Sequence, residues 1–290
     1  MEYILHILVL VAIYTVLSVS LDLLAGHTGL LSLSHAALFG LGAYSSALLT
    51  TRFGTSVFVG FLVAMVVAVL ISFCISLPSL RLQDDYFVIA TFGFQMILFS
   101  IFNNWIAVTH GPMGITNIPQ PSIFGWTISS RVGLLVVALL LAIFAYVVVI
   151  LITSSPFGRV LRAIREDEIF ARALGKRTYR FKVTVFAVSA TLSAWAGCLY
   201  AHYVTYIDPA SFTVMESILV VSMVIVGGAG SRWGPFIGAS VLVLLPETLR
   251  IVGLPSTFAA NFRQVIYGTL LVVMMMFRPR GIVGKYDFGQ

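Results

Sequence analysis

Charge is what this sequence has least of. Asp, Glu, Lys and Arg make up 10% of its 290 residues and apolar types 59%, whereas an ordinary globular chain is about 25% charged. One water-soluble core has no use for so much apolar surface, but a bilayer does. A span takes roughly 20 apolar residues, so there is room for about eight to ten spans with short connections. The expected architecture is all-α: a polytopic transmembrane helix bundle forming one domain over residues 1–290. Cysteine is scarce too. Cys74 and Cys198 sit in apolar stretches without C-x-x-C spacing, which speaks against a disulfide framework or a metal site. The N-terminus has no basic n-region and no small-residue cleavage site, so residues 4–21 are expected to be a retained first span. No G-x-x-x-x-G-K-[ST] phosphate loop occurs; Gly281–Lys285 comes nearest, with its spacing too short. ATP, if it drives this protein, binds another chain. There is no run of midplane acids either. Asp22, Glu216 and Glu247 each fall near the end of an apolar stretch, which argues against a proton relay.

What is present is a series of nine apolar stretches: 4–21, 33–50, 57–77, 86–102, 132–152, 183–203, 214–227, 235–251 and 264–277. Turn and breaker residues such as Gly54, Pro78, Pro119, Pro156, Pro209 and Pro255 separate or rim them. The net charge of +6 is concentrated. Arg159, Arg162, Arg165, Arg172, Lys176, Arg177, Arg180 and Lys182 face only Glu166, Asp167 and Glu168 in one loop, which alone carries +5. A basic pI of this origin describes a loop, not a nucleic-acid surface. With that loop in the cytoplasm, thirteen basic residues fall inside and four (Arg52, Arg131, Arg250, Arg263) outside, as the positive-inside rule requires. The N-terminus then lies outside and the C-terminus inside. Residues 103–131 form the longest outer loop, too polar to cross and too short to be a domain.

Two apolar regions are interrupted by glycine and small polar residues: Gly26-His27-Thr28-Gly29-Leu30-Leu31-Ser32-Leu33-Ser34-His35, running on to Tyr44, and Gly227-Gly228-Ala229-Gly230-Ser231-Arg232-Trp233-Gly234-Pro235. Broken backbone at membrane depth is tolerated only inside protein or along a cavity, and transporters place such breaks at matching points of two repeats. The shared G-x-x-G suggests a weak internal repeat. Gly26, Gly29, Ser32, Ser34, His35, Tyr44, Gly227, Gly228, Gly230 and Ser231 are accordingly the candidate translocation-pathway residues. The competing account is close helix packing by small residues, which suits Gly40 and Gly42 best.

The cytoplasmic segment 154–180 carries its own helix punctuation. Ser155 is a capping residue, Pro156 suits the first helical position, and Gly175 suits the stop. Glu168 precedes Arg172 by four residues, the better orientation for a helical ion pair. Phe157, Leu161, Ile164 and Leu174 offer an apolar stripe. One short amphipathic helix, or two joined by a turn, is expected to project into the cytoplasm. The three acids at 166–168 oppose a role on anionic lipid and favour docking of a protein partner. Candidate coupling residues are Arg159, Arg162, Ala163, Arg165, Glu166, Asp167, Glu168 and Gly175.

Five stretches together resemble the permeases of ABC importers for branched-chain and other hydrophobic amino acids, the M-type subunit more than the H-type. They are Gly26–Tyr44 with S-L-S-H-A-A-L-F-G-L-G-A-Y, Tyr86–Thr91 with Y-F-V-I-A-T, Gly111–Ile115 with G-P-M-G-I, Ser155–Gly175 with S-P-F-G-R-V-L-R-A-I-R-E-D-E, and Val226–Gly238 with V-G-G-A-G-S-R-W-G-P-F-I-G. The resemblance adds Tyr86 and Thr91 to the pathway candidates and matches Arg159–Gly175 to the family's coupling segment. It implies a non-catalytic transport subunit of the bacterial inner membrane. Its partners would be a second permease chain of H-type, two cytoplasmic ATPases that carry the ATP and magnesium, and a periplasmic binding protein; no cofactor is implied on this chain. Two departures stand out. Thr109-His110-Gly111-Pro112 replaces a T-G-G pattern, and Arg81-Leu82-Gln83-Asp84-Asp85-Tyr86 replaces L-R-G-x-Y. Sibling permeases for urea and short amides, a sugar permease of similar architecture, and a stand-alone channel or secondary carrier stay open on the residues alone. Orientation is directly testable. In a background lacking both native cysteines, a cysteine at Arg172 should react with a membrane-impermeant thiol reagent in inverted vesicles and stay unlabelled in intact spheroplasts.

Overall fold

The computed structural model describes residues 2–82, 84–123, 126–128, 130–251 and, of 265–284, all but 267, 270, 275 and 279. Pro255, Arg263 and Lys285, used above for boundaries and orientation, lie outside the described residues. The helices are α1 (Glu2–Thr28), α2 (His35–Phe53), α3 (Val57–Ser79), α4 (Asp84–Asn104), α5 (Ile106–Thr109), α6 (Arg131–Ser154), α7 (Pro156–Glu166), α8 (Glu168–Ala173), α9 (Thr178–Val204), α10 (Val214–Gly227) and α11 (Gly234–Ile251). Five of them, α1, α3, α4, α6 and α9, are long and apolar enough to cross a membrane; α10 and α11 are shorter and apolar. Eight of the nine apolar stretches therefore map onto helices, and the described residues of the ninth are helical as well. The chain is an all-α, multi-pass membrane protein; among the described residues one short hairpin, Ser122–Ile123 on Trp126–Thr127, lies in the 103–131 loop.

The long helices are not equally sheltered. α1 and α9 form the buried centre, while α3, α4 and α6 turn much of their surface outward. α2 packs most extensively on α9. That contact is backbone-close, because a Cβ at Gly42 would overlap the Ala194 backbone and one at Gly197 would overlap the carbonyl of Phe39. Small residues at a crossing let two membrane helices gain dispersion contact that lipid does not supply.

α2 and α10 both begin inside the membrane. α1 runs past Asp22 to Thr28, seven residues beyond the expected end of the first span. Gly29, at φ +77°, then turns the chain back on itself. The return through Ser32–Ser34 places His35 level with the middle of the bundle: His35 Nε2 lies 3.0 Å from Ser189 Oγ, which donates to Ser20 O at 2.5 Å. Ser20 stands eight residues before the end of α1, so α2 starts about 12 Å back from that end. The second half repeats the manoeuvre in the opposite sense. α9 ends at Val204, Thr205 takes φ +62°, and 205–213 return inward so that α10 starts beside α2.

The two helix starts meet at Gln95, buried in the middle of α4. Ala37 N donates to Gln95 Oε1 at 2.7 Å, Gln95 Nε2 donates to Phe212 O at 2.8 Å, and Ala36 N donates to Ser217 Oγ at 3.0 Å. First-turn amides have no partner within their own helix, and none is available from lipid. Two side-chain acceptors, Gln95 Oε1 and Ser217 Oγ, supply them at the start of α2. From this node α2 runs to the face opposite the basic loop, where the Arg52 guanidinium donates to Ala107 O and Val108 O, and α10 runs to the basic face.

The break inside the first glycine run, 29–34, therefore has its counterpart at 205–213 rather than in the 227–235 run. Those runs instead touch each other: a Cβ on Gly26 would overlap the Gly230 backbone. The outer loop packs over the bundle. Ile115 and Ile207 exchange backbone hydrogen bonds at 2.9 and 3.1 Å, and His202 Nδ1 donates to Pro119 O at 2.7 Å while its Nε2 takes the Ser46 hydroxyl at 2.7 Å. Replacing Gln95 by Leu keeps the volume and removes the shared partner. Each buried group left unsatisfied costs about 1–3 kcal/mol, so Q95L should lower unfolding stability by roughly 2–5 kcal/mol, measured by denaturation in mixed micelles.

Candidate functional site

Two groups of candidate residues come together at the basic face. α7 starts as its sequence demands: Ser155 Oγ accepts from Gly158 N at 3.4 Å, with Pro156 at the first position. Leu161 and Ile164 are buried against the bundle, while Arg159, Arg162, Ala163 and Glu166 are exposed. Arg165 reaches inward. Its Nη1 donates to Gly26 O at 2.5 Å, and its Nη2 pairs with Glu166 at 2.7 Å. Gly26 O is one of the last carbonyls of α1, so a cation caps that helix end where the dipole favours one. The coupling candidates and the first glycine run are joined by this bond. Asp22 completes the junction: its Oδ1 accepts from Gly230 N at 2.7 Å. Asp22 is 2% exposed, so it does not end a span at the interface. The buried acid holds the second glycine turn against α1. Ser231 Oγ accepts from Gly234 N at 3.1 Å and starts α11. Gly227 and Gly228 pack backbone-close against Gly234 and Gly284.

The segment is two helices, not one. Asp167 ends α7 and caps α8, with its Oδ1 accepting from Phe170 N at 2.9 Å. The expected Glu168–Arg172 pair is present at 2.7 Å. Glu168 also takes Lys182 Nζ at 2.5 Å and the Thr178 hydroxyl at 2.8 Å, which latches α8 to the start of α9. Partial burial pushes the Glu168 carboxyl up, but hydrogen bonds from Lys182, Arg172 and Thr178 outweigh it and hold the pKa below its ordinary value. Gly175, at φ +77°, is exposed and stops the helix. Leu174 does not join the buried stripe with Leu161 and Ile164. It is 63% exposed, and together with Ile169 (80%) and Phe170 (62%) forms an apolar knob. Beside the knob, α8 and residues 80–82 and 85–86 enclose a groove of about 1120 Å³ with charges of both signs, including Arg81, Asp85, Arg172 and Lys176.

Tyr86, at 61% exposure, lines that groove and is separated from the other pathway candidates. Ser32, Ser34, His35 and Thr91 surround the mid-membrane node and are fully buried. Ser32 and Ser34 hydroxyls lie 3.0 Å apart, and Thr91 Oγ1 accepts from Leu33 N at 3.1 Å. Because Ser189 donates to Ser20 O, it accepts from His35 Nε2, and His35 Nδ1 has no hydrogen-bond partner. Tyr44 lies on the outer side of the node, stacked on Phe102 with ring centroids 4.7 Å apart and edge-on to Phe212.

Sequence reasoning passed over Gln95, the apolar knob and one face of α4. Gln95 is a lone amide in an apolar run, a signal that was available. Gly93, Ser100 and Asn104, spaced by seven and four, share one face of α4. Ser100 and Asn104 are exposed, and nothing lies within 4 Å of a Cβ built on Gly93. The Glu168 latch is testable by hydrogen exchange. E168Q should speed amide exchange in 168–177 at least five-fold at neutral pH. The depressed pKa means that the latch contributes above the usual carboxylate range and is lost as pH falls through the folded value, so the difference from wild type should fade only in acid.

Residues 3–275 match the family model described as branched-chain amino acid transport system / permease component. The high-affinity branched-chain amino acid transport system permease protein LivM of Escherichia coli (strain K12) is 34% identical over 297 residues, 94% of this chain and 68% of the relative. The probable branched-chain amino acid transport permease protein LivM of Methanocaldococcus jannaschii is 25% identical over 236 residues, 77% of this chain and 68% of the relative. The autoinducer 2 import system permease protein LsrC of Photorhabdus laumondii is 28% identical over 160 residues, 53% of this chain and 45% of the relative. No solved structure matches. A bundle with two helices starting at its middle, an arginine-capped helix end and a two-helix basic element is what this match covers, and the chain belongs to the family of permease components of branched-chain amino acid transport systems.

Proposed function

We propose that this chain is one of two membrane subunits of an ATP-driven importer of the bacterial inner membrane, and that its cargo is a branched-chain amino acid. The second subunit is an H-type permease. ATP and magnesium bind two cytoplasmic ATPases, and a periplasmic binding protein delivers the cargo to the outer mouth. The chain itself performs no covalent chemistry.

The observation that carries this proposal is the α7–α8 element. It is fastened to the bundle at two points, Arg165 on α1 and Glu168 on α9, yet it turns Ile169, Phe170 and Leu174 outward. An apolar knob beside a mixed-charge groove is the anatomy of a protein interface, with apolar anchors inside a polar rim. Motion of the docked ATPases would pass through the two fastenings into α1 and α9, the buried centre, and from there to the node where α2 and α10 start. Gly26, Gly29, Gly227, Gly228, Gly230 and Ser231 lie at the inner end of that train, with Ser32, Ser34, His35 and Thr91 at its middle. The exposed face of α4 supports a path shared with a second subunit, since polar groups on a spanning helix are costly against lipid and belong against protein or a water-filled cavity.

Vesicles holding all partner subunits should take up leucine, in preference to urea, only with ATP inside and binding protein outside. Phe170→Asp should reduce ATP-coupled uptake at least ten-fold while the chain stays folded. Uptake by the purified chain alone, or wild-type coupling in the variant, overturns the proposal.

A further inference from the structure

A second cavity, of about 750 Å³, is lined by α1, α6, Arg162 of α7 and the turn that opens α11. Its volume is in the range of small-molecule sites. The floor is Asp22, 2% exposed. Only one of its oxygens is taken up by the Gly230 amide; Oδ2 faces His27 Nε2 at 3.8 Å, too far for a hydrogen bond. The guanidinium nearest this end of α1, Arg165, is engaged by Gly26 O and Glu166. A carboxylate this deep in a membrane protein is expensive unless something cationic or hydrogen-bonding answers it. The walls carry apolar surface from α6, notably Val149 and Ile150, and the lining includes Arg162 and Arg232, both exposed.

We propose that this cavity binds a small zwitterion, its ammonium on Asp22, its anionic group on Arg162 and Arg232, and its apolar part against α6. Acid at depth and arginines nearer solvent give the two charges different places, and neither half alone accounts for the set. Two sources share this chemistry. One is a free amino acid with an apolar side chain, arriving from the cytoplasm. The other is the headgroup of phosphatidylethanolamine, arriving from the inner leaflet past Trp233 and Phe236, which are 66% and 43% exposed at this side of the turn. Because Arg162 is on α7 and Arg232 is on the α10–α11 turn, the occupant ties the coupling element to the bundle. The lining shares Gly230 and Ser231 with the pathway candidates named above, but the proposal does not depend on the cargo assignment.

The test uses the assembled transporter in nanodiscs, without binding protein, so that delivery to the transport path does not contribute. One arm measures equilibrium binding of tritiated L-leucine in discs of phosphatidylglycerol alone. The other detects retained phosphatidylethanolamine by native mass spectrometry after preparation in mixed lipid. One of the two probes should be held, at least ten-fold more weakly in Asp22→Asn and Arg232→Gln, and displaced by Ile150→Trp, which fills the mouth. Arg232 and Ile150 are exposed, so these two variants keep the test valid should Asp22→Asn fail to fold. Leucine held with this pattern assigns the free amino acid, and lipid held with it assigns the headgroup. Neither probe held, or either held equally by wild type and all folded variants, overturns the proposal. ATP-driven uptake through the binding protein, assayed separately, reports on the transport path alone.

Discussion

The structure depends on how two helices can begin in the middle of a membrane. A helix start exposes amides that its own turns do not satisfy, and hydrocarbon offers no acceptor. Here α2 and α10 start side by side, and the Gln95 side chain links them, accepting from Ala37 N at the start of α2 and donating to Phe212 O just before α10. Ser217 from α10 completes the set on Ala36 N. The same amide thus fixes the depth of both starts and their separation. The consequences extend along both helices. The Gly42–Ala194 and Gly197–Phe39 approaches fix α2 against α9, and Tyr44, Phe102 and Phe212 close over the outer side of the node.

At the basic face the same economy recurs with charges. The end of α1 needs acceptors satisfied rather than donors, and Arg165 from α7 answers Gly26 O. Asp22 answers the Gly230 amide. Each polar contact joins segments distant in sequence, so the α7–α8 element is bonded to the bundle as well as resting on it through Leu161 and Ile164. A push on α7 is then felt by α1 as a change in its terminal hydrogen bond, and a push on α8 is felt by α9 through Glu168 and Lys182.

Much of this was readable before any coordinates. Ser155 and Pro156 announced the start of α7, Glu168 and Arg172 were four apart, and Gly175 marked the stop, because these are signals local to one turn of helix. Hydropathy placed eight helices. What was not readable depends on partners far along the chain. Asp22 looks like a boundary until Gly230 is seen beside it, 208 residues later. Gln95 looks like an isolated polar residue in a span because its value comes from two segments outside α4. The two glycine runs looked like repeats of one another because both need close backbone approach. In the fold they supply that closeness to each other, and the actual structural correspondence, 29–34 with 205–213, leaves little trace in residue identity. Leu174 fits the helical spacing of Leu161 and Ile164 only if α7 and α8 are one helix, and Asp167 breaks that phase.

The mid-membrane start of α2 has a consequence for biogenesis. Ala36 finds its acceptor on Ser217, which follows it by 181 residues. At ordinary synthesis rates that interval is on the order of ten to forty seconds. Throughout it, the first turn of α2 has emerged while the acceptor of the Ala36 amide does not yet exist. The first half of the nascent chain therefore has no complete resting place in lipid, and must stay where water or an insertion factor attends its open amides until the second half arrives to lock it.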